Sequence, residues 1–433
     1  MLRTIDLRGR AVTPADLLAA VPRATAARDE ALATAAAVVA DVAERREASL
    51  REQAARFDGV EGHDVRVPAA HLEEALDALD PAIRRALENA IDRVRRASAA
   101  QVPAPVVTDI GPGARVEQHW RPVRRAGVYV PGGKAVYPSS VVMNVVPAQV
   151  AGVAQVALAS PPQRDHGGRV HPVILAAARL LGITEVYAMG GAGAIGAYAH
   201  GVPALGLDPV DVISGPGNNF VALAKRVVAG MVGTDSEAGA TEILIVADES
   251  ADARLVAADL VSQAEHDEQA AAVLVTDSAA LAEAVVVQVE KRAAATHHAA
   301  RVAQALSGPQ SAVVLVDDIA TATAFSNAYA PEHLELHLRD PRPEEYVNAG
   351  AVFVGAWTPV SLGDYLAGSN HVLPTGGQAR YASGLSASTF LRPQQVIVYD
   401  RDALKAVHDD IVTLANAEVL PAHGEAVTAR FDA

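Results

Sequence analysis

From Gly127 onward the chain alternates short apolar runs with helical stretches, and this rhythm restricts the fold more than any other feature of the sequence. Strands are expected at 127–130, 156–159, 185–189, 212–214 and 243–247, with helices at 139–152, 172–181, 194–200 and 219–229 between them. The rhythm repeats with strands near 272–276, 312–316, 334–338 and 351–354. Short runs that are apolar throughout belong to strands covered on both faces, and strands separated by helices pair in parallel. The expected class is α/β, with two αβα lobes built on parallel-rich sheets. Before Gly127 the sequence reads as helical: residues 17–57 carry apolar side chains at three-to-four spacing, and Asp80-Pro81 caps a helix reaching about Ala100. Residues 111–122 suggest a hairpin-like excursion, and a strand at 396–399 and a helix at 402–417 lead into a short tail.

Composition excludes several classes. At 433 residues the chain exceeds one ordinary core. No apolar run reaches the ~18–20 residues of a membrane span, and the first residues lack the apolar stretch of a signal peptide. With 36 basic against 51 acidic side chains the net charge is −15, which argues against nucleic acid as a partner. There is no cysteine. Disulfides and thiolate ligands are excluded, a cytoplasmic setting is expected, and aldehyde oxidation would have to use water rather than an enzyme sulfur as nucleophile.

Three polar clusters carry candidate chemistry: Gln263 to Glu268 around His266; Glu332-His333 with Asp364 and His371; and Glu418 with His423. Gln, His and Asp offer oxygen and nitrogen donors of the kind Zn²⁺ accepts, and an adjacent Glu-His pair suits proton transfer. Gln263 and His266 stand at i, i+3, so one ligand can meet both. Other histidines, among them His63, His71, His166, His297 and His298, are expected to be solvated. Two turns, Val130-Pro131-Gly132-Gly133 and Ser214-Gly215-Pro216-Gly217-Asn218, follow expected strands, where open α/β sheets bind ligands. Gly191-Ala192-Gly193-Ala194-Ile195-Gly196 matches the dinucleotide fingerprint letter for letter. It follows the third strand of its lobe, however, and Asp211 precedes the next strand instead of ending it, so it is not read as a standard site.

Taken together, the segment 125–133, the Gly215-Pro216-Gly217-Asn218 turn, Ser262 to Asp267, Tyr329 to Glu335, Gly363-Asp364-Tyr365 with Gly368 to Pro374, and His423 to Val427 resemble histidinol dehydrogenase, in order and over residues 5–430. The resemblance implies a zinc- and NAD-dependent enzyme, one Zn²⁺ per subunit, that takes L-histidinol through L-histidinal to L-histidine. It places Gln263, His266, Asp364 and His423 on the metal, Glu332 and His333 in proton transfer, and Tyr129, Gly193 and Asn218 beside NAD. Thr241, His371 and Glu418 fall at substrate positions, with His333 and the metal ligands. It also implies Rossmann-like lobes and an intertwined homodimer in which His423 acts in trans. The chain then divides into a 1–25 extension, a substrate and zinc lobe of 26–126 with 243–385, an NAD lobe of 127–242, and a dimerisation tail of 386–433.

Two positions depart from the family pattern. Gly193 stands where a Gln that touches NAD is common, and Thr241 where Ser is frequent, in a segment 238–242 lacking a common proline. Under this reading His333 takes the hydroxyl proton, and Glu332 activates water to attack the aldehyde. Two other functions fit the scaffold: oxidation of a different primary alcohol such as a sulfonated diol, and non-catalytic NAD or metal binding. The acids near the expected substrate position oppose an anionic substrate, and the Glu-His pair opposes a mere binder.

Overall fold

The computed structural model describes residues 2–10, 13–23, 28–132, 136–236 and 239–432. Gly133 and Ala238, at the edges of two of the motifs above, lie outside them. The chain opens with β1 (Arg3–Asp6), α1 (Pro14–Ala20), α2 (Arg28–Arg45), α3 (Glu47–Gln53), α4 (Ala69–Asp77) and α5 (Pro81–Ala100). A hairpin of β2 (Val106–Gly111) and β3 (Ala114–Pro122) follows. The first alternating region holds β4 (Arg125–Tyr129), α6 (Pro138–Ala151), β5 (Gln155–Ser160), α7 (Pro172–Leu180), β6 (Glu185–Ala188), α8 (Gly191–His200), β7 (Val212–Ser214), α9 (Asn219–Val228) and β8 (Gly233–Thr234). The second begins with β9 (Glu242–Ala247), α10 (Ala253–Ala264), β10 (Ala271–Thr276), α11 (Ala279–Ala295), α12 (Ala299–Ser307) and β11 (Ala312–Leu315). It continues through α13 (Ile319–Tyr329), β12 (His333–His337), β13 (Ala351–Val354) and α14 (Val360–Tyr365). Last come β14 (Leu391–Tyr399), α15 (Arg401–Ala406), α16 (His408–Ala417) and α17 (Pro421–Thr428).

Both expected parallel sheets are present. One runs β6-β5-β4-β7-β8 and the other β1-β11-β10-β9-β12-β13. Apart from β1, the two share one strand order: the first strand of each region lies in the middle, the second and third to one side, the fourth and fifth to the other. Each sheet therefore has a switch point at its first strand, β4 or β9, where the crossovers diverge and leave a crevice. Alternate residues of β9 face opposite layers: Ile243 and Ile245 pack with α10 and α11, whereas Leu244 and Val246 pack with α13.

A larger unit comprises Met1–Gln101 with Val123–Phe390, and a smaller one comprises Val102–Pro122 with Leu391–Ala433. Within the smaller unit β2, β3 and β14 form an antiparallel sheet ordered β14-β3-β2, and α15 to α17 complete it.

Three local expectations need correction. The first residues are not helical throughout, because β1 pairs in parallel with β11 and extends the second sheet by one strand. The helix expected over 17–57 is interrupted at Arg46, whose φ is 53°, and ends in a π turn closed by Gly59 at φ 64°. The last long helix splits at Val407 into α15 and α16, and Pro421 opens a further helix, α17. The cap at Asp80 is as expected, its carboxylate accepting from the amides of Ala82 and Ile83.

Candidate active site

A cavity of about 1600 Å³ lies in the larger unit. At one end it is lined by the loops after β4 and β7 and by the first residues of α8, that is Tyr129, Gly132, Gly190, Gly191, Pro216 and Asn218. These are carboxyl ends of strands. Gly215 allows the second loop to cross β4 closely, since a Cβ there would lie 2.0 Å from the Tyr129 carbonyl oxygen, and its φ of 120° suits only glycine. Lys225 and Asp235 hold that glycine from beneath, the ammonium donating to its carbonyl and the carboxylate accepting from its amide at 2.8 Å. This fully buried ion pair was not anticipated from sequence, because its partners are brought together only by the loop they support. Asn218 caps α9 by accepting from Phe220 and Val221. The Tyr129 hydroxyl accepts from the amide of Gly191 at 3.1 Å, and burial pushes its own titration up to about 12.

The fingerprint glycines have structural explanations. Gly191 starts α8 at φ 60°, while a Cβ at Gly196 would press on Val39 and Val42 of α2. Gly193 is buried away from the cavity lining, and a Cβ on it would meet Oε1 of Gln53 at 2.1 Å. Gln53 itself lines the cavity, so the amide beside this turn comes from α3. Asp211 accepts from the amides of Arg124 and Arg125 and so anchors the start of β4.

At the other end the second sheet presents the amino ends of its strands. Thr241 and Glu242 enter β9, Glu332 and His333 enter β12, and all four line the cavity together with His266, Asp364 and His371. Glu332 is buried, and its Oε2 accepts from the Thr241 hydroxyl at 2.6 Å and from the Glu242 amide at 2.9 Å. Burial pushes its carboxyl up to about 7, against the pull of His333 and of these donors. His333 places Nδ1 3.1 Å from the carbonyl oxygen of Glu242, the contact of an Nδ1–H donor, which leaves a lone pair on Nε2. Gln263 is fully buried behind the lining and donates to the Thr241 hydroxyl, completing a chain from Gln263 through Thr241 to Glu332. His266 stands just beyond the end of α10; burial holds its imidazole below the ordinary value, with Asp364 pulling the other way. His371 is held by the Asp364 carbonyl at Nδ1, 2.9 Å, and contacts the Ser140 hydroxyl at Nε2, 3.1 Å, and burial lowers its titration too.

Of the anticipated residues, the larger unit thus gathers Tyr129, Asn218, Thr241, His266, Glu332, His333, Asp364 and His371 around one cavity, with Gln263 and Gly193 directly behind its wall. Glu418 and His423 belong to the smaller unit, where both are exposed. Sequence reading missed Arg23 and Glu242. The guanidinium pairs with the buried carboxylate at 2.6 Å, donates to the last carbonyl of α13 and stacks on Tyr329 at 4.1 Å. It also misplaced His63, which is buried with Nε2 3.1 Å from the Ala188 carbonyl.

The two ends differ in field. At the β4 end, helices begin: the first residues of α8 and α9 line the cavity, where the helix dipoles are positive, an environment for phosphate oxygens. At the β9 end α10 finishes beside His266, and Glu332, Glu242 and Asp364 add carboxylates, an environment for cations. A nucleotide at one end and a metal with a cationic organic molecule at the other is the pairing that these fields favour.

Comparison with known proteins shows the family. A family model described as histidinol dehydrogenase matches residues 21–431. The histidinol dehydrogenase of Leifsonia xyli subsp. xyli is 64% identical over 433 residues, spanning 100% of this chain and 99% of that protein. That of Corynebacterium diphtheriae is 53% identical over 439 residues, spanning 100% and 98%. A crystal structure of histidinol dehydrogenase from Elizabethkingia anophelis aligns with a TM-score of 0.93 at 31% identity, covering 99% of this chain and 98% of that one. With likeness of sequence and fold running end to end through both sheets and the cavity between them, the chain belongs to the histidinol dehydrogenase family of oxidoreductases.

Proposed function

We propose that the protein is a zinc-dependent, NAD-linked dehydrogenase that oxidises L-histidinol through L-histidinal to L-histidine. The observation that carries this reading is the Glu332-His333 pair: two proton-transfer groups side by side in one cavity, one with a lone pair left on Nε2 and one titrating near neutrality. Gln263, His266 and Asp364 would hold the metal. Their donor chemistry fits, because His266 is kept neutral by burial and a neutral imidazole offers a lone pair. Bound zinc would orient the substrate's nitrogen and oxygen atoms, and NAD⁺ would accept hydride.

The chain's own groups do the rest. His333 Nε2 takes the proton from the alcohol as the first hydride leaves. Glu332 then takes a proton from water, hydroxide adds to the aldehyde carbon, and the alkoxide oxygen so formed takes back the proton held by His333, giving a gem-diol and a free imidazole. His333 removes the diol proton as the second hydride leaves, and the product is a carboxylic acid. Thr241 and Gln263 fix the Glu332 carboxylate, and His371, which lines the same cavity, would meet the substrate. Tyr129, Asn218 and the start of α8 would receive the nucleotide. The test is NADH formation from L-histidinol: chelation should stop it and Zn²⁺ restore it, while a metal-free preparation with full activity excludes the metal assignment.

The family resemblance further supports a homodimer in which His423, with Glu418, serves the site of the second copy. Mixing His423→Ala with Glu332→Gln, each defective in forming L-histidine, should restore about half of full L-histidine formation per mixed dimer, since one of its two sites would carry neither lesion. Mixed dimers that form and stay inactive exclude the shared site.

A further inference from the structure

Three metal-ligand-type side chains lie together outside the cavity lining: Asp259 on α10, and Glu335 and His337 on β12. Alternation along the strand puts Glu335 and His337 on the same face as His333, the face covered by α10. His337 Nε2 lies 3.2 Å from Glu335 Oε2 and 4.0 Å from Asp259 Oδ2. The other oxygen of Glu335 accepts from the backbone amide of Val360, the first residue of α14, at 2.8 Å. Glu335 and His337 are buried, and Asp259 is partly so.

Each element tied here carries a different part of the candidate site. Asp259 precedes Gln263 by one turn of α10, Glu335 follows His333 by two residues on β12, and Asp364 follows Val360 by about one turn of α14. We propose that Asp259, Glu335 and His337 form a buried hydrogen-bonded clamp that sets the spacing of Gln263, His333 and Asp364, and so acts as a positioning group for the metal and proton-transfer end of the cavity. Two carboxyls in contact inside the protein cannot both stay ionised cheaply. Burial, with the neighbouring Glu335 charge, pushes Asp259 up to about 7, and its O–H then donates to Glu335. Glu335 is left with acceptors for His337 and for the Val360 amide. A free helix amide, a buried carboxylate and an imidazole thereby satisfy one another without reaching the cavity, and the three elements keep one relative setting.

This inference rests on the zinc reading, and the experiment separates the two. Zinc retention against a metallochromic chelator, kcat, and KM for NAD⁺ are measured for the full-length wild type and for Asp259→Ala, Asp259→Asn and His337→Gln. In Asp259→Ala, zinc retention should fall about 10- to 100-fold, as when outer partners of metal ligands are removed. Its kcat should fall with it while KM for NAD⁺ stays unchanged, because the nucleotide end is untouched. Asp259→Asn keeps an N–H donor in the same place and should remain close to wild type. His337→Gln, the gentler lesion, keeps the variant set informative if Asp259→Ala does not fold, and should show the same split to a smaller extent. A folded Asp259→Ala or His337→Gln with wild-type zinc retention and kcat overturns the clamp. An equal rise in KM for NAD⁺ overturns it too, since that reports general damage. A second zinc per subunit that disappears in Asp259→Ala would also overturn it, making the cluster a metal site. A wild type that holds no zinc removes the underlying reading instead.

Discussion

The two parallel sheets share one strand order, yet the cavity meets them at opposite ends: the carboxyl ends of β4 and β7, and the amino ends of β9 and β12. The consequence is electrostatic. In a strand-helix crossover the helix starts where the strand stops, so the carboxyl side of the first sheet offers helix N-termini and the amino side of the second offers a helix C-terminus. One end is lined mainly by glycine, proline and backbone, which suit a ligand recognised by shape and phosphate charge. The other is lined by imidazoles and carboxylates, whose identities matter atom by atom. Mutations should therefore be severe at the β9 end and mild at the β4 end.

The largest effect is expected at Glu332. Glu332→Gln should slow oxidation of L-histidinal by roughly 10²–10⁴-fold, the usual contribution of a positioned base, and slow the alcohol step far less because His333 is intact. Equal losses with L-histidinol and L-histidinal in single-turnover assays would contradict this division. The pH dependence sharpens the same point. With the Glu332 carboxyl raised to about 7, it is protonated and idle below that value and active as a base above it. The rate of the aldehyde step should thus rise about tenfold per unit as pH approaches 7 from below and then level off. A profile with its break near the ordinary carboxylate range would mean that Glu332 is not the base.

The smallest effect is expected at the β4 end. An amide introduced by Gly193→Gln has to displace Gln53, whose Oε1 occupies the space a Cβ would need. Alone, the substitution should raise KM for NAD⁺; combined with Gln53→Ala, the new amide has room, and the KM should return toward the original. The span is a few-fold, in keeping with the ~0.5–1.5 kcal/mol of a single hydrogen bond. A change in zinc content in either variant would break the separation of the two ends.

The same contrast explains what could be read from sequence. Strands and helices from Gly127 on were legible because periodicity and glycine turns are local signals. The clustered residues of the β9 end were legible as motifs, since Glu332-His333 and Gln263 with His266 are neighbours in the chain. What escaped notice depends on distant pairing. β1 is four residues long and becomes a strand only by pairing with β11 across some three hundred residues. His63 is buried where Ala188, far along the chain, offers a carbonyl. Gln53 faces Gly193 only after α3 packs on α8, and the Lys225–Asp235 pair exists only around the Gly215 loop. The fingerprint at Gly191 shows the reverse hazard: a literal motif whose glycines at 193 and 196 serve helix packing.

One cavity that joins a nucleotide end to a cation end suits two successive oxidations of one substrate. The most direct measurement counts NADH released per L-histidinol consumed by zinc-loaded enzyme, with the organic product identified by mass. Two NADH and L-histidine are expected, with no release of L-histidinal. One NADH with accumulated aldehyde, or NADH formed from a sulfonated diol and none from L-histidinol, would contradict this.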